Sequence, residues 1–311
     1  PQIRVNAYYG VSDRPTLRTV SVGKAERDSK INLVGKYFGY EGSVWQMNSQ
    51  AANNSNISYW VLDSLNPAFN NNTDWQDLVF RGARIQNYDV SVSQRIEKMG
   101  YRLSYNMYDE EGTKIGTGFN RNSLSLNLTL SPYKWMNVVS NIRYSEMRRT
   151  KSHGDLNVFT PWDMPSSFIK LTDDDIMNFS GRGVGRMDKN LNRSLTANIM
   201  LMLDFTKHLK WTTSYSYSLN ENRTDQFVPS YSTSDGRSYA SAASGASRRW
   251  EVENYIQYLN SFNDTHNVSL LLGQGAEYNY SDQISATGYD ASSDDIKTVT
   301  GISSENQYGS S

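Results

Sequence analysis

The 311-residue sequence contains no cysteine. This absence excludes disulfide bonds, thiolate zinc sites and a cysteine nucleophile. Histidine is scarce as well, and His153, His208 and His266 show neither the HxH nor the HxxxH spacing of a metal or catalytic site. No GxSxG motif of a serine hydrolase is present. The residues therefore predict no enzyme and no resident cofactor.

A long hydrophobic run and a surplus of positive charge are also missing. The longest compact apolar run is Ile199–Leu203, far short of the roughly 20 residues that a membrane helix needs. Lys and Arg number 31 against 32 Asp and Glu, for a net charge of -1. Because nucleic-acid-binding proteins usually carry a basic surplus, the sequence predicts no nucleic-acid partner.

What the sequence does contain is a strict alternation of apolar and small polar residues. This period of two is typical of a strand with one apolar and one polar face. Twenty-one Tyr and seven Trp stand beside a mean hydropathy of only -0.65, and such residues suit surfaces that are half apolar and half wet. In two of the strands, the residues predicted on the apolar face are Leu124, Leu126, Leu128, Leu130, Leu195, Ile199 and Leu201.

The predicted fold class is all-β, with nine antiparallel strands. Short turns follow strands two, four, six and eight, and long loops follow the odd-numbered strands. This sorting of loop lengths is typical of outer-membrane barrels, which have tight periplasmic turns and long extracellular loops. We therefore predict an antiparallel transmembrane β-barrel segment whose apolar face contacts lipid. The predicted extracellular loops are about 12–85, 109–118, 147–190, 222–248 and 282–311, with a hairpin at Ile31–Tyr40 inside the first.

Three tryptophans agree with a membrane orientation. Trp135 and Trp211 follow short turns, where a periplasmic aromatic girdle is expected. Trp250 is predicted at the opposite end of the barrel, just below a long loop. The alternative interpretation is that these residues are anchors in the core of a soluble protein.

Substrate contacts are expected from aromatic side chains in the loops, because such rings can stack on sugar faces. The alternative for each is ordinary loop packing. Asp173 and Asp175 form a candidate calcium site in a loop, although the start of a capped helix explains the same acids more simply. The candidate ligand-binding aromatics are Trp45, Trp60, Trp162, Tyr231 and Tyr239.

Three segments resemble SusC/RagA-like TonB-linked outer-membrane transporters. They are Thr73–Ser93, Tyr101–Val138 and His266–Asp290, and their order and spacing also match the family. Two departures occur: Gln94–Glu97 replaces a Gly-rich turn, and the segment at Gln274–Glu277 looks like the family's Gly-Gln-Glu with two residues added. Both departures are local.

The resemblance implies that residues 1–311 are part of one TonB-dependent receptor barrel of 22 strands, plugged by a separate domain. It implies TonB-driven import of a glycan fragment or peptide across the outer membrane of a Gram-negative bacterium. The implied partners are the TonB complex, outer-membrane lipid and a SusD-like surface lipoprotein. We expect a piece of a longer protein, because the plug and the TonB box are not recognisable in these residues.

Two other functions are compatible with the same alternation. A secreted or surface β-sandwich that binds glycans would turn the apolar faces into a dry core. A passive porin would share the barrel but need neither plug nor lipoprotein. The exposure of the alternating leucines distinguishes the sandwich from both barrel functions.

Overall fold

The computed structural model describes the chain except for residues 16–18, 39–60, 62, 75, 78–79, 152–165, 174–185, 231–232, 234, 263–265 and 311. The described residues form one antiparallel sheet of ten strands, ordered β1 to β10 as in the sequence. One α-helix, α1, lies between β1 and β2. The elements are β1 (Gln2–Ser12), α1 (Lys24–Phe38), β2 (Ala83–Ile96), β3 (Met99–Glu111), β4 (Gly118–Tyr133), β5 (Met136–Thr150), β6 (Met187–Asp204), β7 (Leu209–Val228), β8 (Tyr239–Phe262), β9 (His266–Tyr289) and β10 (Gln307–Ser310).

The predicted sorting of loop lengths is confirmed. The connections after β2, β4, β6 and β8 are two to four residues long, whereas those after the odd-numbered strands range from six to 70 residues. All short turns therefore lie at one end of the sheet and all long connections lie at the other. We call these the turn end and the loop end.

Three expectations about the elements are wrong. Residues 31–38 belong to helix α1 and form no hairpin. The last loop is shorter than predicted, because β9 continues to Tyr289 and Gln307–Ser310 pairs with it as a tenth strand. Trp250 lies in the middle of β8, since that strand already begins at Tyr239. The longer strands form because β7 and β9 both pair with Tyr239–Ser247, a segment that is rich in small residues.

The sheet is a single layer over most of its area, which contradicts the β-sandwich alternative. Leu124 and Ile199 are each 44% exposed, and the other five leucines predicted on the apolar face are half-buried. Among the described residues, no second sheet packs across that face. No helix in the described part of the chain is long and apolar enough to span a membrane.

One small buried cluster lies at the loop end, where the connection between β9 and β10 folds over the apolar face. Val299 and Ile302 from this connection pack on Phe227 and Ala240. Phe227 is fully buried. The strands here extend well past the 9–11 residues that a tilted membrane strand needs, so the connection shields apolar side chains that lie beyond the lipid-facing region.

Candidate functional site

The register separates the sheet into an apolar face and a polar face, because directly paired residues of an antiparallel ladder lie on the same side. One register row of the polar face crosses nine strands without an apolar residue. It consists of Gln2, Ser93, Arg102, Asn127, Asn141, Asn198, Ser216, Glu251 and Glu277. A neighbouring row on the apolar face consists of Tyr101, Leu128, Ser140, Ile199, Tyr215, Val252 and Ala276.

The apolar face ends at a band of charged residues toward the loop end. Glu146 pairs with Arg193 at 2.9 Å and with Arg148 at 2.7 Å. Arg248 lies 3.6 Å from Asp282, and its guanidinium carbon lies 5.9 Å from the ring centroid of Tyr280. An apolar belt bordered by aromatic and charged side chains is typical of a lipid-facing barrel wall.

The charged border of the apolar belt crosses the register rows at an angle, as is expected when the strands are tilted. Tyr88 on β2 is linked through successive register pairs with Met107 and Asn122 to Glu146 on β5. The same row is therefore still apolar on β2 but already charged on β5. The belt shifts toward the turn end from the first strands to the last.

The predicted girdle tryptophans lie on exposed or half-exposed surface beside other rings. Trp135 is 50% exposed and stacks on Tyr133 at a centroid distance of 5.3 Å. Trp211 stacks on Phe205 at 6.4 Å, and Trp250 stacks on Tyr278 at 6.0 Å. None is a core anchor, and Trp250 lies two residues from Arg248, which is at the charged edge of the belt. Their depth in a membrane stays a prediction.

On the polar face, arginines predominate on β1 to β5 and glutamates predominate on β8 and β9. Arg4, Arg95, Arg102 and Arg143 lie on β1, β2, β3 and β5, and their guanidinium groups form no ion pair or hydrogen bond with another described residue. We call this the basic half. Facing residues of β6 and β7 in the same rows, such as Asn198 and Ser216, are uncharged.

The acidic half lies on β8 and β9. It consists of Glu251, Glu253 and Glu277, together with Arg249. Arg249 lies 3.1 Å from Glu251 and 3.1 Å from Glu277, which are paired directly across the two strands. The Glu253 carboxylate has no ion-pair or hydrogen-bond partner among the described residues.

Two long connections dock on each other above the basic half, at a contact that we call the loop junction. Phe168 is 1% exposed, and its ring centroid lies 4.7 Å from the guanidinium carbon of Arg27 in α1. The amides of Asn71 and Thr73 donate to the carbonyls of Phe168 at 3.0 Å and Ser167 at 2.9 Å. These contacts join the connection after β1 to the connection after β5.

Glu26 is the ionised anchor of the loop junction. Its carboxylate accepts a hydrogen bond from the Ser167 amide at 2.8 Å and lies 2.6 Å from the Lys30 ammonium. Partial burial acts to raise the pKa of the Glu26 carboxyl, but hydrogen bonds from Lys30 and Ser167 outweigh burial and hold the pKa below its ordinary value. Sequence reasoning missed this group, because α1 shows no clear apolar stripe and its partner Ser167 is 141 residues away.

A second rim contact lies above the acidic half. The Arg237 guanidinium donates to both carboxylate oxygens of Asp290, with its terminal nitrogen 2.7 Å from the nearer oxygen. This contact lowers the pKa of the Asp290 carboxyl. Asp290 has a φ of 61°, in the left-handed region that Asp tolerates better than most residues. The sequence held no periodic signal for this pair, which joins two loops.

Of the predicted ligand-binding aromatics, the structure places one. Tyr239 begins β8 on the polar face, where its half-buried ring lies 5.3 Å from that of Tyr289, its register partner. Asp173 is exposed, and no cluster of three or more potential metal ligands occurs in the described part of the chain. The remaining candidates, Trp45, Trp60, Trp162, Tyr231 and Asp175, lie outside the described residues.

Comparison with known sequences shows two related TonB-dependent receptors of Formosa agariphila. Receptor P26 is 24% identical over 218 residues, which cover 65% of this chain and 22% of that protein. Receptor P3 is 24% identical over 229 residues, with the same coverage. No family model matches the chain. The chain therefore spans about a fifth of the length of these relatives.

Among solved structures, the fold matches those of the RagAB peptide importer. The closed-closed state superimposes with a TM-score of 0.73 at 18% identity, covering 99% of this chain and 38% of the matched chain. The open-open state gives 0.69 at 17% identity with the same coverage. Since the matched chain is much longer, the ten strands have the fold of one part of that chain.

This relationship to proteins named as receptors agrees with the prediction of a non-enzymatic protein. It also agrees with the lipid-facing belt and the sorted loop lengths described above. The sequence relationship and the shared fold together show that the chain is similar to a segment of the β-barrel of SusC/RagA-like TonB-linked outer-membrane proteins.

Proposed function

We propose that the full-length protein carrying this chain imports a large nutrient across the outer membrane by TonB-dependent transport. The observation that carries this proposal is the polar face, where one register row crosses nine strands with only polar and charged side chains. Opposite an apolar belt, such a face suits the wet wall of a transport lumen. The docked connections at the loop end would then form part of the extracellular entrance.

A peptide fits the polar face better than a neutral glycan does. Peptides present both ammonium and carboxylate groups, and the face offers an acidic half and a basic half that complement them. The matched RagAB structures are described as a peptide importer, which supports the same choice of cargo. A SusD-like surface lipoprotein is the proposed partner at the loop end, as the RagAB complex suggests.

Uptake by a deletion strain tests the proposal. Deleting the gene for the full-length protein should abolish growth on a defined peptide mixture, and plasmid-borne protein should restore it. Growth that survives inactivation of the TonB complex would instead indicate a passive porin. A deletion strain that grows normally on both peptides and oligosaccharides would contradict nutrient import altogether.

Tyr239 is the candidate cargo contact that can be tested with a matched pair of variants. Tyr239→Phe keeps the ring and its packing on Tyr289, whereas Tyr239→Ala removes both. If the ring stacks on cargo, Tyr239→Ala should lower uptake severalfold and Tyr239→Phe should not. Equal uptake by both variants and the wild type would show that the Tyr239 ring packs on Tyr289 but does not contact cargo.

A further inference from the structure

An open recess of about 560 Å³ lies on the polar face near the turn end, between β1 and β4. None of the side chains around it is acidic. Two are arginines and the others used here are amide or hydroxyl groups that can donate hydrogen bonds. These residues are Gln2, Ser93, Arg95, Arg102, Asn127 and Thr129.

The two arginines are diagonal neighbours across β2 and β3. Arg95 pairs with Gly100, and Arg102 follows two residues later on the same face. Long side chains at diagonal positions are within reach of each other, and like charges so placed repel. Neither guanidinium has an ion-pair or hydrogen-bond partner in the described part of the chain. The arrangement places two positive charges on one recess, with no compensating charge among the described residues.

Gly100 leaves the floor of the recess open. A Cβ added there would meet only Cγ of Arg95, at 3.8 Å, which is an ordinary contact. The described backbone therefore does not require glycine at this position. A glycine inside a strand often marks the close approach of a ligand or another backbone.

We propose that the recess binds an oxyanion, a carboxylate or sulfate held by Arg95 and Arg102. The planar guanidinium fork matches such groups with paired, charge-assisted hydrogen bonds. Ser93, Asn127 and Thr129 supply further donors around the anion. The oxyanion comes either from the cargo or from a side chain of the same protein outside this chain. Both sources present the same chemistry to the recess.

The experiment measures the thermal unfolding midpoint of the purified full-length protein in detergent. Sodium sulfate is titrated against sodium chloride at constant ionic strength. The test variant is Arg95→Gln/Arg102→Gln. Arg143→Gln is the control on the same face, outside the recess, and Gly100→Val fills the floor while keeping both charges.

Sulfate stabilises folded proteins generally by exclusion from their surface, so the response of each variant is compared with that of the wild type. Binding of a cargo anion predicts that sulfate raises the wild-type midpoint more than that of the double variant, which should bind sulfate at least about tenfold more weakly because it lacks the charge-assisted bonds. Gly100→Val should also weaken binding, because its side chain occupies the recess, while Arg143→Gln binds as the wild type does. A resident carboxylate predicts that sulfate raises the midpoints of the wild type and the double variant equally. In that case the double variant and Gly100→Val should lower the sulfate-free midpoint more than Arg143→Gln does.

The inference is overturned if the double variant matches Arg143→Gln in both the sulfate response and the sulfate-free midpoint. The measurement needs no transport and no identified cargo. A failed uptake experiment therefore does not change the result of the sulfate titration. A negative sulfate titration, in turn, does not contradict the proposed import function.

Discussion

The basic half and the acidic half of the polar face differ in whether their charged side chains have counter-charges nearby. In the acidic half, Glu251 and Glu277 face each other across two strands, and Arg249 lies 3.1 Å from both. In the basic half, Arg95 and Arg102 have no such counter-charge. One half is thus partly neutralised from within, whereas the other is complementary to an anion supplied from outside the segment.

The rims above the two halves are each held by packing together with charge. The loop junction above the basic half buries Phe168 against Arg27 and also contains the ion pair between Glu26 and Lys30. The rim above the acidic half has the exposed ion pair between Arg237 and Asp290, beside the buried cluster around Phe227. The buried ring of Phe168 and the exposed ion pair of Arg237 are therefore different kinds of contact, and different changes should break them.

The largest effect is expected from Phe168→Ala in the loop junction. Removing a buried phenyl ring costs about 3 kcal/mol or more, so local opening should become easier. Native-state hydrogen exchange of the Asn71 and Thr73 amides should accelerate roughly a hundredfold. The control is Leu65→Ala, because Leu65 is 93% exposed in the same connection. Equal exchange in both variants would show that the ring does not hold the two connections together.

The next largest effect is expected from Arg249→Ala in the acidic half. It removes two partly exposed ion pairs and leaves Glu251 and Glu277 to repel each other. The expected loss is about 1–2 kcal/mol in the free energy of unfolding, measured by urea unfolding of the full-length protein.

Arg143→Ala is the control for this loss, because Arg143 lies on the polar face without an ion pair. Adding Glu251→Gln to Arg249→Ala should recover at least half of the lost stability by relieving the repulsion. Similar unfolding of Arg249→Ala and Arg143→Ala would remove the proposed difference between the two halves.

Acid should loosen the rim above the acidic half. Because Arg237 holds the pKa of the Asp290 carboxyl below its ordinary value, their contact stabilises the folded rim above an unfolded-state pKa of about 4. That stabilisation is lost as the pH falls through the lower, folded-state pKa. Exchange of the Asp290 amide, which donates to the Ser238 carbonyl at 3.0 Å, should report the loss. Arg237→Gln should make this exchange much less dependent on pH, once intrinsic exchange rates are subtracted.

The smallest effect is expected from Glu253→Gln. Glu253 is in the acidic half but has no ion-pair partner among the described residues. Its neutralisation should change the free energy of unfolding by less than about 0.5 kcal/mol. Glu277→Gln is the matched comparison, since it removes an Arg249 contact from the neighbouring strand. A larger loss for Glu253→Gln than for Glu277→Gln would reverse the ranking inside the acidic half.

Sequence periodicity predicted the strands well where side chains alternate strictly. The leucines from Leu124 to Leu130 lie on one face, and the turn after β4 falls where the alternation breaks. The start of β8 was missed because Tyr239–Ser247 is rich in small residues without alternation. Those residues are extended because β7 and β9 pair with them from both sides. Helix α1 was missed for a similar reason, since its partners Ser167 and Phe168 lie in another connection.

The candidate oxyanion site had no sequence signal of its own. Arg95 and Arg102 belong to different strands, and Asn127 belongs to a third. Only the register of β2, β3 and β4 places them around one recess. The division of the polar face into two charged halves likewise depends on strand order.

The sequence by itself determined which residues face lipid and which face the opposite side, because a strand alternates its side chains with a period of two whatever its neighbours are. It also determined the sorting of short turns and long connections between the two ends. The tertiary structure alone decided which charges become neighbours and which loops dock on each other. Those relations depend on strand pairing and long-range contacts, and no local pattern along the chain records them.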